Sequence, residues 1–417
     1  MPRVYVIGAY STAFGRRAED SLKDLTREAF NGVAEDASLE DARRIDTAWF
    51  GNCGMWVDGQ GSIRGQVCLT PLISEGRFPE RVPVTNVEAG CATASLAFTG
   101  AWKDIAAGQA EISIAFGVEK TWYPDHPEKT AAIFDGGIDQ YDPADWQNYY
   151  ERAGQESGIA FEPGDDRTVF MDTYAMQAAY HMERYGTTQK QIAFGCAKNH
   201  TIAQHNSRAQ YRFPLTVDEV MTDRLISWPL TRSMCAPIGD GAAAALLVSE
   251  SALRSMPDAV QERALLVAGF GQSGGKYRSL DEDGLSKVAA DRAYAAAGLT
   301  AADIDVAEVH DATSFSEIYQ AEMLGFCERG EGGAFVASGA TSLGGELPIN
   351  TSGGLVSKGH PVGATGLSMI AELTEQLRGE SGQRQVEGAR IGLAENGGGV
   401  VGFDEAACSV VILRRTD

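Results

Sequence analysis

No stretch of this chain approaches the ~18–20 consecutive apolar residues of a membrane-spanning helix, so a helical membrane anchor is not expected. Positive charge is scarce: 35 Lys and Arg stand against 57 Asp and Glu, a formal charge of −22. Nucleic acid or an anionic membrane surface would need a basic stripe, and neither is expected as a partner. Any anionic ligand must then be held locally, by a few cations or helix N-termini, against the overall field. Paired cysteines are also lacking. Cys53, Cys68, Cys91, Cys196, Cys235, Cys327 and Cys408 are scattered singly with no Cys-x-x-Cys, which argues against a bound metal or a disulfide framework and for reduced thiols. The N-terminal residues read as a strand without a signal-peptide core, and the C-terminal Arg-Arg-Thr-Asp is no peroxisomal tripeptide. The expected compartment is therefore the cytoplasm.

Glycine is plentiful, at 48 residues, and it clusters where backbone must approach a ligand. Short apolar runs alternate with Ala-rich helical stretches, the pattern of a layered α/β fold. Residues 4–8, 47–51 and 112–117 read as strands and 22–36 as an amphipathic helix. The second half replays the first: 264–269 resembles the first strand, 285–297 the helix, and 304–310 echoes 45–51, each opening with Ile-Asp. Asn86 precedes Cys91 by five residues, and Asn350 heads a second Gly-rich entry into a helix near His360. Between the halves, 141–166 is acidic, aromatic and Gly/Pro-punctuated. It reads as a long surface excursion, with Trp146, Tyr149 and Tyr150 favouring an ordered cap.

Four motifs carry chemistry. In Val84-Thr-Asn-Val-Glu-Ala-Gly-Cys91-Ala-Thr-Ala-Ser95 a strand gives way to a cysteine at a helix start, where the macrodipole favours a thiolate and a lowered pKa. A lone cysteine is more often a buried structural one, but a second motif shifts that balance. Asn350-Thr-Ser-Gly-Gly-Leu-Val-Ser-Lys-Gly-His360-Pro-Val-Gly-Ala-Thr-Gly366 presents an imidazole on a turn before a helix, where its neutral form is favoured as a base. A plain turn needs one or two glycines and this segment has five. Glu308-Val-His310-Asp311-Ala-Thr-Ser-Phe315 places a histidine just past a strand, where α/β folds bind ligands; the bland alternative is Asp311 capping the next helix. Glu395-Asn-Gly-Gly-Gly399 is a backbone-donor loop or a simple hairpin.

Together these segments, in order and spacing, resemble the thiolase family over nearly the whole chain. The His310-Asp311 pair is similar to the sterol-carrier-protein type of thiolase. That resemblance implies a duplicated α/β fold, two βαβαβαββ halves layered α/β/α/β/α. The N-terminal half would span 1–260, with a loop domain inserted at about 121–235, and the C-terminal half 261–417. It implies an acyltransferase that cleaves or condenses 3-oxoacyl-CoA thioesters, bulky or branched ones in this subgroup. Cys91 would be nucleophile and His360 its base. The backbone N–H groups of Cys91 and Gly397 would form an oxyanion hole, and His310 with His360 would stabilise an enolate. Coenzyme A is then substrate, with no metal or permanent cofactor. A homodimer or larger is implied, as is a small OB-fold/zinc-ribbon protein as partner. The chain departs from the family pattern where a second thiol serves as acid/base: Glu395 and Ala312 occupy those places, which makes Glu395 the candidate. A ketosynthase, a retro-aldolase and a non-catalytic acyl-CoA-binding subunit are the rivals, and the aromatic cap points to an aryl or polycyclic acyl group.

Overall fold

The computed structural model describes residues 3–39, 41–164 and 166–416. Met1, Pro2 and Asp417 of the chain ends, and Asp165 within the 141–166 segment, lie outside the described residues. Among the described residues eleven strands run in chain order: β1 (Val4–Ser11), β2 (Thr47–Gly51), β3 (Val84–Val87), β4 (Ile112–Glu119), β5 (Leu225–Ser227), β6 (Leu230–Thr231), β7 (Gly241–Ser249), β8 (Leu265–Gly274), β9 (Val306–Glu308), β10 (Ile391–Gly398) and β11 (Ala407–Arg415). Nine form one sheet ordered β3-β2-β4-β7-β1-β8-β11-β10-β9, while β5 and β6 make a separate hairpin. The duplication is visible in that order. Outward from the centre, β1-β7-β4-β2-β3 is matched by β8-β11-β10-β9, and the counterpart of β3 is reduced to a parallel bridge from Ala307 to Ile349. The halves join at a short seam, where Tyr5 and Val6 of β1 pair with Leu266 and Leu265 of β8.

Helices fill three layers around this sheet. Leu22–Asp36 starts at a capping box between Ser21 and Asp24 and buries Leu22, Leu25, Ala29, Phe30 and Val33 on one stripe against the first half. Leu285–Ala297, which starts at Gly284 without a side-chain cap, buries Leu285, Ala289, Ala290 and Ala293 against the second half. Thr93–Ala106 and Thr365–Arg378 lie between the halves and share one apolar cluster with strands of both. A helix buried on opposite faces must be apolar or small almost all round. Ala94, Ala97, Phe98, Gly100 and Ala101 meet that need in one, and Leu367, Met369, Ile370, Ala371 and Leu373 in the other. Their first turns touch at Gly366, where a Cβ would stand 2.1 Å from Ser95 Oγ. Only glycine permits that approach.

One expectation is corrected here and another refined. The strand expected at 304–310 is confined to Val306–Glu308. Beyond it the ladder ends because side chains capture the backbone donors: Val309 N–H goes to Asn350 Oδ1 (2.8 Å) and His310 N–H to Glu395 Oε2 (3.0 Å). The 141–166 segment runs mostly over the surface, as expected, and its described residues are ordered. It holds the helix Pro143–Ser157, with Tyr149 and Tyr150 buried against Phe403. It belongs to residues 120–240, which leave the sheet between β4 and β7 and carry the other helices Pro127–Asp135, Val169–Tyr185, Gln189–Ala203 and Val217–Thr222.

Candidate active site

Cys91, His310 and His360 come together from three segments. Cys91 lies between β3 and the Thr93–Ala106 helix, His310 just past β9, and His360 on the turn before the Thr365–Arg378 helix. His360 Nε2 stands 3.1 Å from Cys91 Sγ, and His310 Nε2 stands 3.5 Å from His360 Nε2. The tautomer of His360 follows from its other side. Thr365 Oγ1 donates to the Pro361 carbonyl (3.1 Å), so it accepts Nδ1–H of His360 at 2.7 Å. Nε2 is then a bare acceptor facing the thiol. Burial drives His360 well below the usual imidazole range, with His310 adding to the effect, and holds His310 down to about 4. Both rings are neutral near pH 7.

The thiol itself differs from expectation. A helix N-terminus is worth ~0.3–1 kcal/mol toward the thiolate, whereas burial raises a pKa by up to ~3–5 units. Burial wins: Cys91 is pushed up to about 12, with the Glu405 carboxylate adding to the rise. The resting pair is a thiol hydrogen-bonded to a neutral imidazole, and a proton must move as the sulfur attacks. Backbone N–H groups of Cys91 and Gly399 point at the sulfur. Gly397, the expected donor, lies in the β10 ladder opposite Cys408. Gly398 presses against the nucleophile's own backbone, where a Cβ would fall 2.1 Å from Ala92 N and 2.5 Å from Cys91 N.

Glu395 does not face solvent. Its buried carboxyl accepts the His310 N–H, and Cys408 Sγ donates to it at 3.4 Å. Burial, then the charge of Glu405, lifts it to about 8. It stands behind His310 and does not line the cavity. Glu405, on the turn between β10 and β11, lies over Gly397, where a Cβ would meet its Cδ at 2.8 Å. Asp311 does not cap the helix that follows it. Its Oδ1 accepts Leu355 N–H (2.6 Å) and its Oδ2 accepts Asn199 Nδ2 (2.9 Å), tying the His310 loop to the His360 segment.

Two spaces meet at these residues. An inner cavity is lined by Cys53, Trp56, Ile133, Phe134, Phe170, Met171, Tyr174 and Val362 together with Cys91, His310 and His360. An outer cleft of about 1240 Å³ carries Arg16, Arg167 and Arg232 and reaches His360 and Ala312 from the other side. Trp146, Tyr149 and Tyr150 line neither, so the aromatic cap inferred from sequence is a core cluster and no part of the acyl-facing wall. No helix among the described residues is long and apolar enough to cross a membrane.

Comparison with known proteins gives the family. Residues 4–221 match the thiolase N-terminal domain and residues 280–414 the thiolase C-terminal domain-like model. The chain is 37% identical to acetyl-CoA acetyltransferase of Methanothermobacter thermautotrophicus, over 96% of this chain and 98% of that one. It is 34% identical to human sterol carrier protein 2, covering 98% of this chain and 73% of the relative. With the benzoylsuccinyl-CoA thiolase subunit BbsB of Thauera aromatica it shares 28%, over 92% and 91%. Among solved structures, the Ltp2-ChsH2(DUF35) aldolase superposes with a TM-score of 0.76 at 23% identity, covering 99% of this chain and 98% of that one. Human mitochondrial 3-ketoacyl-CoA thiolase in complex with CoA gives 0.64 at 15%, covering 100% and 98%. The chain therefore belongs to the thiolase family, enzymes of the acyltransferase class.

Proposed function

We propose that this enzyme is a C-acyltransferase for a bulky, aromatic or branched 3-oxoacyl-CoA, working through an acyl-enzyme on Cys91. The observation that carries this reading is the 3.1 Å contact between Cys91 Sγ and His360 Nε2 where an apolar cavity and an arginine-bearing cleft meet. The cleft is roomy enough for the pantetheine arm of coenzyme A, and the cavity suits an apolar acyl group. Arg167 and Arg232 are engaged by Asp172 and Asp223, which leaves Arg16 as the cation best placed for a phosphate.

Cys91 Sγ attacks the 3-keto carbon as its proton passes to His360 Nε2. The N–H groups of Cys91 and Gly399 receive the oxyanion. The C2–C3 bond then breaks, and its electron pair becomes the enolate of the departing acyl-CoA. The proton that left sulfur is the one that C2 gains, returned by His360, while His310 Nε2–H steadies the enolate oxygen. Coenzyme A next attacks the acyl-enzyme, its thiol proton returning through His360 to Cys91. This balance closes without a second thiol. Glu395 then acts by holding the His310 backbone, where the family pattern has a cysteine.

Cys91→Ser tests the reading, by intact-protein mass after incubation with a 3-oxoacyl-CoA. An acyl adduct on wild type and none on the variant is expected; an adduct on another cysteine overturns it. Carbon–carbon cleavage without consumption of coenzyme A would instead make the enzyme a lyase. The homodimer rests on the family resemblance alone, while the net charge of −22 and the two-component name of the Ltp2-ChsH2(DUF35) neighbour support engagement of a small OB-fold/zinc-ribbon protein with a complementary basic face. Activity should rise when such a protein is added, and full activity of the homo-oligomer alone would dispense with it.

A further inference from the structure

The three reacting side chains form a donor set of another kind. One atom from each of Cys91, His310 and His360 lies within 4.8 Å of the others. A tetrahedral zinc ion, with Zn–S about 2.3 Å and Zn–N about 2.05 Å, sets its S···N and N···N edges at about 3.6 and 3.4 Å. The observed His360–Cys91 and His360–His310 separations are 3.1 and 3.5 Å. Half an ångström of opening at the first edge, and inward rotation of the Cys91 thiol at the cavity wall, complete the set. We propose that this site binds Zn²⁺, or a similar soft divalent cation, reversibly and one per chain, and that the ion blocks the nucleophile.

The donor types choose the ion. One sulfur and two imidazole nitrogens favour zinc, and the absence of a carboxylate from the set disfavours magnesium or calcium. Three protein ligands leave a fourth position open toward the cavity. Binding balances as follows. The Cys91 S–H bond is lost, its proton passes to solvent, and an S–Zn bond forms. His360 already offers a bare Nε2. His310 moves its proton from Nε2 to Nδ1, a change of tautomer with no net proton.

The surroundings make the site inhibitory and not structural. Metal-bound imidazoles usually give their far N–H to a carboxylate or carbonyl, and loss of that support costs about 10–100-fold in affinity. Here His360 has only the Thr365 hydroxyl, and His310 Nδ1 has no hydrogen-bond partner among the described residues. The ion would therefore leave to a chelator. While bound, it would hold the sulfur and the imidazole lone pair that acyl transfer requires.

The test uses the full-length protein after chelation and dialysis. Cobalt(II) is added as a spectroscopic probe, and zinc is titrated by calorimetry. One equivalent should bind, tetrahedral cobalt bands should appear with a thiolate-to-cobalt charge-transfer band, and zinc should protect Cys91 from iodoacetamide until EDTA is added. The charge-transfer band should vanish in Cys91→Ala, weaken in His310→Ala and persist in Cys327→Ser, whose thiol is remote from the cavity. If a variant fails to fold, protection of Cys91 in the wild-type chain decides alone. A band that survives in Cys91→Ala, or alkylation unaffected by zinc, overturns the site. An enzyme that is inactive until zinc is restored overturns the blocking role.

Discussion

Glu405 acts on the nucleophile without touching it. Its carboxylate stands over Gly397 and is the first charged contribution to the raised pKa of Cys91, after burial. Glu405→Gln removes a negative charge, so the Cys91 thiolate becomes easier to form and its pKa falls. Each unit lost gives about tenfold more thiolate at a fixed pH below the pKa. Alkylation of Cys91 by iodoacetamide at pH 8 should therefore speed up in Glu405→Gln and stay unchanged in Glu405→Asp. An unchanged rate in Glu405→Gln would place the carboxylate's influence elsewhere. Nothing in the sequence marks this residue. Cys91 and His360 stand out because each sits among small residues at a helix entry, a local pattern. The tautomer set by Thr365, the N–H of Gly399 and the grip of Glu395 on His310, 85 residues away in sequence, exist only once the chain has folded.

At the scale of elements, the turn joining β10 to β11 is fixed from outside itself. Asp404 Oδ1 accepts Arg278 Nε at 2.8 Å and Leu285 N–H at 3.2 Å, and Oδ2 accepts Lys276 N–H at 3.2 Å. The Arg278 and Asp404 side chains are only 1% and 3% exposed. Removing one partner of a buried ion pair leaves an uncompensated charge and costs about 3–5 kcal/mol. Asp404→Asn should lower the unfolding free energy by that amount, read as a lower urea midpoint at an unchanged slope. The double change Arg278→Met with Asp404→Leu should recover much of it. Recovery of nothing would mean that the carboxylate serves the backbone of Lys276 and Leu285 more than the arginine. Such pairings also explain why elements differ in how well the sequence announces them. Leu22–Asp36 has its cap and apolar stripe written locally, whereas the short β9 ends where Asn350 and Glu395, distant in sequence, take its donors.

The whole molecule carries its acidity inward as well as outward. Burial lifts Glu119 to about 7, Glu395 to about 8 and Glu405 to about 7. In the unfolded chain these carboxyls titrate near ~4.3. Between that value and about 8 the folded state holds protons on these carboxyls that the unfolded state has lost, so their contribution falls as pH rises. His200, His310 and His360, held neutral by burial, act in the opposite sense below about 6.5, which leaves the fall above that value to the carboxyls. Each carboxyl contributes up to about 1.4 kcal/mol per pH unit within its window. The acidic excess of the chain, formally −22, adds repulsion of the same sign. Scanning calorimetry should give a lower Tm at pH 8 than at pH 6, with added salt raising the pH 8 value more. A Tm that climbs over this interval would contradict the buried protonated carboxyls.

The paired central helices have a consequence for symmetry. Cys91 precedes one and His360 the other, and those helices occupy equivalent places in the two halves. Had the halves been identical copies in a symmetric dimer, each position on the axis would have presented the same residue twice. A thiol facing an imidazole breaks that symmetry. One chain holding two unlike copies can place different residues on the two sides, and neither half alone would possess the Cys91–His360 pair.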